Sequence, residues 1–348
     1  MSDAAIRIVN VTKRFGRTVA VDGLDLVVPR GTLCGFLGPN GAGKSTTIRM
    51  IMSIIYPDSG TIEVLGGSAL GAKDRIGYLP EERGVYRKMR VGEFLHYMGR
   101  LKGLPGRGLR TTVERWLERV ELPGVYAKRC ADLSKGMQQK VQFIAALIHE
   151  PELLILDEPF SGLDPVNAEL MRALVEELCG EGRTIIFSTH ALAQAERLCD
   201  RIFLINHGVK LLDATIEEIR HTYDPRTLLV DPRIDPAEAR ALLSTLPTVV
   251  EAHLTASGCV ELLLEESAEP QALMKLALDA VPARAVEVRR VSLEEVFVRL
   301  VRRGSQHPPI SGGAAHSMVT FPSPTAVAKS PTADAAELAE LPFGRPTP

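Results

Sequence analysis

Residues 38–46 read Gly38-Pro39-Asn40-Gly41-Ala42-Gly43-Lys44-Ser45-Thr46, and they indicate the architecture of the chain around them. They match the pattern G-x-x-x-x-G-K-[ST], which joins a buried strand to a helix and wraps a polyphosphate with backbone N–H groups. Lys44 adds a positive charge, and the Ser45 hydroxyl suits Mg²⁺. Kinases, GTPases and many ATPases share this pattern. It therefore predicts a nucleotide triphosphate site without choosing among these classes.

A second phrase, Leu133-Ser134-Lys135-Gly136-Met137-Gln138-Gln139, puts a serine and a glycine at the start of a predicted helix, 135–149. The free N–H groups and the dipole of a helix N-terminus favour an anion there. Ser134 is also a good N-cap by itself. The residues alone therefore leave two interpretations open, a second anion-binding site and an ordinary capping serine.

Two carboxylates end a strongly apolar predicted strand, 153–156. Charges at the end of such a strand are costly unless a metal or another partner receives them. Asp157 is placed to hold Mg²⁺ through water, and Glu158 is placed as the general base for an attacking water. The alternative is a strand end whose carboxylates merely reach solvent.

Together, the phrases at 38–46, 133–139 and 157–159 resemble the ATP-binding cassette family, where they are the Walker A, signature and Walker B motifs. The resemblance implies an α/β P-loop NTPase with a RecA-like core, an antiparallel β subdomain and an inserted helical subdomain. It also implies a head-to-tail dimer. ATP and Mg²⁺ would lie between the phosphate loop of one subunit and Ser134 and Gly136 of the other.

The resemblance assigns three more site residues. Asp164 falls in the D-loop phrase at the dimer interface, His190 matches the switch histidine that contacts the γ-phosphate, and Phe15 matches the aromatic residue that stacks on adenine. The alternatives are an ordinary Gly and Asp-Pro turn, a structural histidine and a surface phenylalanine. Lys135 stands where the signature usually has glycine, which adds positive charge near the dimer contact.

Glu81 departs from the family pattern, because a glutamine that touches Mg²⁺ and water is usual at its position. A carboxylate can still bind Mg²⁺, but it cannot donate a hydrogen bond when ionised. The phrase at 80–84, Pro-Glu-Glu-Arg-Gly, resembles a branch of exporter ATPases. We therefore expect activity to survive this change.

The composition narrows the class of protein. The 348 residues carry 41 Lys and Arg against 43 Asp and Glu, which gives no electrostatic reason to expect nucleic acid as a partner. No stretch approaches the roughly 18–20 apolar residues of a membrane span. No signal peptide is expected at the N-terminus. The five scattered cysteines suit a reduced, cytoplasmic protein.

The pattern along the chain predicts three parts. Alternating strands and helices favour an α/β ATP-binding domain over 1–219, with helices dominating at about 83–150. A small α+β domain is predicted over 220–303; its order β-α-β-β-α-β suggests a ferredoxin-like plan and is followed by a helix, 293–301. Residues 304–348 are rich in Pro, Ala, Ser, Thr and Gly, which predicts a disordered tail.

The resemblance implies an ATPase subunit that powers export through separate polytopic membrane permease subunits, with 82–91 as the expected docking segment. Its second ATP-binding subunit is expected to be an identical copy. The protein would attach peripherally to the cytoplasmic face of the membrane, and the resemblance points to a drug-like, lipid or antibiotic cargo. One alternative is a cassette protein acting on DNA or ribosomes. Another, motivated by Glu81, is an ATP-gated regulatory or scaffolding protein without turnover.

Overall fold

The computed structural model describes residues 4–304, except residues 83, 224–225 and 266. Its strands are β1 (Ala4–Phe15), β2 (Thr18–Pro29), β3 (Leu33–Leu37), β4 (Ser59–Val64), β5 (Ile76–Leu79), β6 (Leu153–Asp157), β7 (Thr184–Thr189), β8 (Arg201–Asn206), β9 (Val209–Thr215), β10 (Thr227–Pro232), β11 (Val249–Leu254), β12 (Val260–Leu264) and β13 (Ala283–Arg289). Its helices are α1 (Lys44–Ile51), α2 (Val91–Leu101), α3 (Leu109–Arg119), α4 (Lys135–Leu147), α5 (Pro165–Gly180), α6 (Leu192–Leu198), α7 (Ile216–Thr222), α8 (Pro236–Leu243), α9 (Pro270–Ala280) and α10 (Leu293–Gly304).

The first sheet is antiparallel, with β1 between β2 and β4. Along β1, Ile6 and Ile8 are buried, whereas Arg7 and Val9 between them are exposed. This alternation is typical of a sheet that packs one face on a core and leaves the other in solvent. The sequence pattern predicts strands over 6–13 and 24–28. Both are confirmed, and they belong to this antiparallel sheet.

The second sheet has the order β5-β6-β7-β3-β8-β9 and is parallel except for β9. Every residue of β3, β6 and β7 is buried. Central strands that are covered on both faces favour apolar residues, which make up most of these three strands. The predicted α/β fold is thereby confirmed.

The helix after the phosphate loop is shorter than predicted. The sequence pattern predicts 45–55, whereas α1 ends at Ile51. Ser53 has a φ of 54°, a left-handed backbone that a right-handed helix cannot contain. The chain therefore turns away from the helix axis, and the last part of the predicted helix is wrong.

Among the described residues between β5 and β6 there are three α-helices, in the region where the sequence predicts helices. They are α2, α3 and α4, and their predicted spans were 92–101, 111–120 and 135–149. Each contributes a large buried aromatic residue to one core, namely Phe94, Trp116 and Phe143. This shared core holds the inserted helices together.

The third sheet has the order β11-β12-β10-β13 and is antiparallel throughout. Its first and third strands in the chain lie at the centre, which is the strand order of a ferredoxin-like plan, and that prediction is confirmed. Helices α8 and α9 bury Leu243 and Leu273 against Leu228 and Leu262 of the sheet.

Helix α10 packs against α6. Its buried residues Leu293 and Val296 belong to the core of the six-stranded sheet and the inserted helices. The sequence predicts a capping box at its start, with Ser292 as the N-cap and Glu295 three residues later. This prediction is confirmed: the Glu295 N–H donates to Ser292 Oγ at 3.2 Å, and the Ser292 N–H donates to Glu295 Oε2 at 3.2 Å. The division at residues 219 and 220 stays a prediction.

The predicted tail, 304–348, lies outside the described residues apart from Gly304. Within residues 4–304, with the gaps named above, no helix has the length and apolar character needed to cross a membrane.

Candidate functional site

Four adjacent strands deliver the predicted catalytic residues to one edge of the parallel sheet. Glu81 follows β5, Asp157 and Glu158 end β6, His190 follows β7 and the phosphate loop follows β3. The carboxyl ends of parallel strands form a crevice in which ligands bind. A cavity of about 380 Å³ lies there, lined by Ala20, Asn40, Gly41, Ala42, Gly43, Lys44, Ser45, Thr46, Glu81, Asp157 and Glu158.

Two glycines of the phosphate loop lie against neighbouring strands with no room for a side chain. A Cβ on Gly43, whose φ is 104°, would stand 2.4 Å from the carbonyl oxygen of Ala20. A Cβ on Gly38 would stand 2.2 Å from the carbonyl oxygen of Ile205. Glycine is therefore required at both positions by close packing, which keeps the loop in the form that wraps a polyphosphate.

Lys44 is held inside the loop. Its Nζ donates to the carbonyl oxygens of Gly38 at 2.6 Å and Pro39 at 3.1 Å. Burial lowers the pKa of its ammonium group, whereas the carboxylates of Glu158, Asp157 and Glu81 favour the charged form. The lysine therefore presents its charge at a fixed place beside three acids.

Asp157 is a buried acid near two others. Burial raises its pKa, and the carboxylates of Glu81 and Glu158 act in the same direction. The Ser45 Oγ lies 3.5 Å from Asp157 Oδ2. A hydroxyl and carboxylates are the hard oxygen ligands that Mg²⁺ prefers, so these residues fit the predicted ion.

The same residues do not form a complete metal cage. Among the described residues, no group of three or more His, Cys, Asp or Glu side chains is arranged to hold a metal. Mg²⁺ commonly takes only one or two protein carboxylates and completes its shell with water and substrate phosphates. The geometry therefore suits an ion that is bound together with a nucleotide.

Glu158 is fixed by the end of β7. Its Oε1 accepts from the His190 backbone N–H at 2.8 Å, and its Oε2 accepts from Thr189 Oγ1 at 3.0 Å. The His190 Nδ1 lies 2.5 Å from the same Oε1. Glu158 has a left-handed φ of 48°, which marks a constrained backbone at this site. Sequence reasoning did not select Thr189, although it stands next to His190.

Three other predicted residues line a second, separate cavity. This cavity has a volume of about 510 Å³, and its wall includes Ser134, Gly136 and Asp164. Ser134 caps α4, because its Oγ accepts from the Met137 N–H at 3.2 Å. Asp164 caps α5, because its Oδ1 accepts from the Asn167 N–H at 3.0 Å. The hydrogen bonds from the backbone and side chain of Asn167 lower the pKa of Asp164.

Comparison with known proteins identifies the chain. Residues 21–161 match the ABC transporter family model, and residues 215–301 match that of the DrrA1-3-like ATP-binding protein C-terminal domain. The uncharacterized ABC transporter ATP-binding protein YhaQ of Bacillus subtilis is 38% identical over 84% of this chain and 97% of its own length. The chain belongs to the ATP-binding cassette family.

Two further comparisons support the same assignment. The Nod factor export ATP-binding protein I of Rhizobium sp. is 35% identical over 87% of this chain and 99% of its own length. A solved structure of an ATP-binding subunit of an ABC transporter is 30% identical, with a TM-score of 0.59, over 63% of this chain and 93% of that one. The protein is thus an exporter-type ABC transporter ATP-binding subunit, an ATPase coupled to transport.

Phe15 of this cassette does not line the phosphate cavity. It ends β1 with 52% of its surface exposed, and the Nζ of Lys13 lies 5.6 Å from its ring centre. A flat, exposed ring beside a cation can accept a base on its free face. Its role in stacking on adenine stays a prediction.

Three buried polar residues of α4 escaped sequence reasoning. Gln139 Nε2 donates to the carbonyl oxygen of Pro159 at 3.1 Å, next to Glu158. Lys140 lines the second cavity, where burial lowers its pKa and the carboxylates of Glu121 and Asp164 oppose that shift. Gln142 contacts the segment around Glu81. The sequence feature that could have pointed to these three residues is a run of long polar side chains in a helix whose C-terminal end is otherwise apolar.

Proposed function

We propose that this cassette hydrolyses ATP between two identical copies arranged head to tail. One observation carries the proposal: the residues predicted to grip one nucleotide line two separate cavities of the same chain. The phosphate loop and the acids surround one cavity, whereas Ser134, Gly136 and Asp164 line the other. Two copies that face each other would place one cavity of each kind on either side of each nucleotide.

The first cavity would bind ATP with Mg²⁺. The phosphate-loop backbone and Lys44 would hold the phosphates, and Ser45, Asp157 and Glu81 would hold the ion. When bound, Mg²⁺ neutralises charge on the phosphate oxygens. Glu158 would accept the proton of the attacking water, with its carboxylate oriented by His190.

The second cavity would complete the site of the partner copy. The α4 N-terminus and the Ser134 hydroxyl would meet the γ-phosphate. Gly136 suits such a close approach, because a Cβ there would already lie 3.3 Å from Leu163 Cδ2 of the D-loop. The same crowding links the signature helix to the loop that carries Asp164.

Export would proceed through separate permease subunits that dock near residues 82–91. Tyr86 in this segment is 52% exposed and packs edge-on against Phe94 and Tyr97 of α2, with ring centres 5.9 and 5.8 Å away. Exposed aromatic residues that are rigidly held are well suited to a protein interface. This docking would attach the cassette to the cytoplasmic face of the membrane. The proposed cargo is a drug-like, lipid or antibiotic molecule. The similarity to the Nod factor export ATP-binding protein I supports a role in export.

Steady-state ATP hydrolysis with the membrane partner tests the proposal. Glu158→Gln should reduce kcat by about 100-fold or more, because it removes the general base while keeping the shape of the side chain. The variant should also accumulate ATP-bound dimers, measured by light scattering. Glu177→Gln is the matched control, since that exposed glutamate pairs only with Arg119 among the described contacts, and it should behave as the wild type.

A wild type that turns over ATP no faster than Glu158→Gln would contradict the enzymatic assignment and favour the ATP-gated regulatory role. Monomers that persist in ATP-loaded Glu158→Gln would contradict the head-to-tail dimer.

A further inference from the structure

Gln142 ties the signature helix to the segment that carries Glu81. It lies on α4, two turns after the cap residue Ser134, and it is 5% exposed. Its Nε2 donates to the carbonyl oxygens of Glu82 at 3.0 Å and Pro80 at 3.4 Å. Its Oε1 accepts from the Gly84 N–H at 3.1 Å.

These contacts surround Glu81 on both sides. A side-chain amide has two N–H donors and one carbonyl acceptor in a rigid plane, and Gln142 uses both kinds of group here. The bonded segment, residues 80–84, follows the end of β5 without helix or strand structure at its described positions. The backbone path of its described positions therefore depends on such side-chain contacts, and two of them anchor the carbonyl oxygens of Pro80 and Glu82, the residues directly before and after Glu81.

The position of Glu81 matters for the phosphate cavity. Its carboxylate lines the same cavity as Lys44, Ser45 and Asp157. It is also close enough to act electrostatically on both Asp157 and Lys44. A shift of the 80–84 backbone would move one of the oxygen ligands proposed for Mg²⁺.

We propose that Gln142 is a positioning residue that acts through Glu81 and holds this carboxylate at the metal site. The inference rests on the proposed function, because it assigns Mg²⁺ to the cavity that contains Glu81. Because Ser134 caps α4, the same helix connects the surface proposed to meet the partner's nucleotide with the metal site of its own copy. Outer contacts of this kind commonly change metal affinity or activity about 10- to 100-fold when removed.

Binding of a fluorescent ATP analogue, measured with Mg²⁺ and with EDTA, tests the inference without relying on turnover. Gln142→Met keeps the length of the side chain and removes all three hydrogen bonds. Its affinity in EDTA should equal that of the wild type, because the phosphate loop sets it. The gain in affinity that Mg²⁺ produces in the wild type should shrink about tenfold.

A double-mutant cycle tests whether Gln142 acts through Glu81. Glu81→Ala should lose the same Mg²⁺-dependent gain, and adding Gln142→Met to it should change nothing further, because coupled residues are not additive. Gln142→Glu, which cannot donate to the two carbonyls when ionised, should behave as Gln142→Met.

Thr184→Val is the matched control for a lost buried hydrogen bond. Thr184 is buried at the start of β7 and accepts from the Gly31 N–H at 3.0 Å, far along the strand from the cavity. Thr184→Val should lower the melting temperature and retain the full Mg²⁺-dependent gain in affinity for the ATP analogue.

The outcomes separate the two proposals. Three results would each overturn the role of Gln142 while leaving the proposed function intact. In Gln142→Met, Mg²⁺ could raise the affinity as much as in the wild type, or the affinity could fall by the same factor in EDTA as in Mg²⁺. In the Glu81→Ala background, adding Gln142→Met could reduce the Mg²⁺-dependent gain further. A wild type whose affinity does not respond to Mg²⁺ would overturn the metal assignment and the role of Gln142 with it.

Discussion

The Nδ1 of His190 lies 2.5 Å from the Oε1 of Glu158, and the His190 backbone N–H donates to the same oxygen at 2.8 Å. These two residues are 32 positions apart in the chain and meet because β6 and β7 are adjacent in the sheet. Thr189 Oγ1 holds the second oxygen. The proposed base is thus oriented entirely by the end of one neighbouring strand, which couples its position to any movement of that strand end.

Lys44→Ala should abolish measurable ATP binding, with affinity falling by at least about 100-fold. The change removes a charge that is held inside the phosphate loop, and hydrogen bonds to charged groups contribute about 1.5–3 kcal/mol each. Isothermal titration calorimetry with ATP measures the loss.

Lys102→Ala is the control for the change at Lys44. The Nζ of Lys102 also donates to two backbone carbonyls, those of Lys73 at 2.5 Å and Ile76 at 2.9 Å, but it lies outside the phosphate cavity. It should destabilise the fold and leave ATP affinity unchanged. Unchanged affinity in Lys44→Ala would contradict the phosphate-loop assignment.

Ser134→Ala should act twice, on stability and on assembly. Loss of the cap on α4 should cost about 1 kcal/mol of the free energy of unfolding. Loss of the hydroxyl should also weaken ATP-dependent dimer formation, because that oxygen is proposed to face the partner's γ-phosphate. Chemical denaturation and analytical ultracentrifugation in ATP measure the two effects.

Ser292→Ala separates these two effects. Ser292 caps α10 with a hydrogen bond of 3.2 Å, the same length as the cap of Ser134 on α4. It should lower stability by a similar amount without changing ATP-dependent assembly. Equal assembly in both variants would mean that Ser134 is only a helix cap.

Tyr86→Glu should uncouple the cassette from its membrane partner. The exposed tyrosine packs on Phe94 and Tyr97, and a charge there would disfavour an apolar contact. Stimulation of ATP hydrolysis by the permease should fall several-fold, while ATP affinity of the isolated chain stays the same. Tyr56→Glu, at a tyrosine that is 63% exposed elsewhere, is the control. If the permease still fully stimulates ATP hydrolysis by Tyr86→Glu, docking at residues 82–91 is contradicted.

His149 should make stability fall in mild acid. Burial, with a smaller contribution from the charge of Lys102, lowers the pKa of its ring from 6.5 to about 4, and its Nε2 lies 3.1 Å from the Ile76 carbonyl oxygen. Between these values the unfolded chain binds a proton that the folded chain does not, so the free energy of unfolding decreases as the pH falls from 6.5 toward 4.

His149→Gln tests this pH dependence, because glutamine can still donate to the carbonyl and does not titrate. Urea unfolding at several pH values should show a shallower decline in the variant than in the wild type. Parallel declines would show that His149 does not contribute.

Sequence patterns predicted most local features correctly. The apolar runs of β3 and β6, the caps at Ser134 and Ser292 and the succession of strands and helices along the chain from β10 to β13 were predictable, because each depends on neighbours within a few residues. The end of α1 was predicted too late, since apolar residues continue past Ile51 and the left-handed turn at Ser53 leaves no clear signal. Gln142 was missed, because its partners lie about 60 positions away.

The amino-acid sequence alone determined the family and the chemical groups of the candidate site. These groups are a glycine loop with its lysine, two acids after an apolar strand and a serine before a helix. These depend on short-range geometry, which a few consecutive residues specify. Only the tertiary structure decided which of these groups line each of the two cavities, because sheet order and helix packing arise from contacts between distant segments. The order β5-β6-β7-β3 brings Glu81, Glu158 and the phosphate loop to one cavity, whereas the packing of α4 beside the D-loop leaves Ser134 and Asp164 at another.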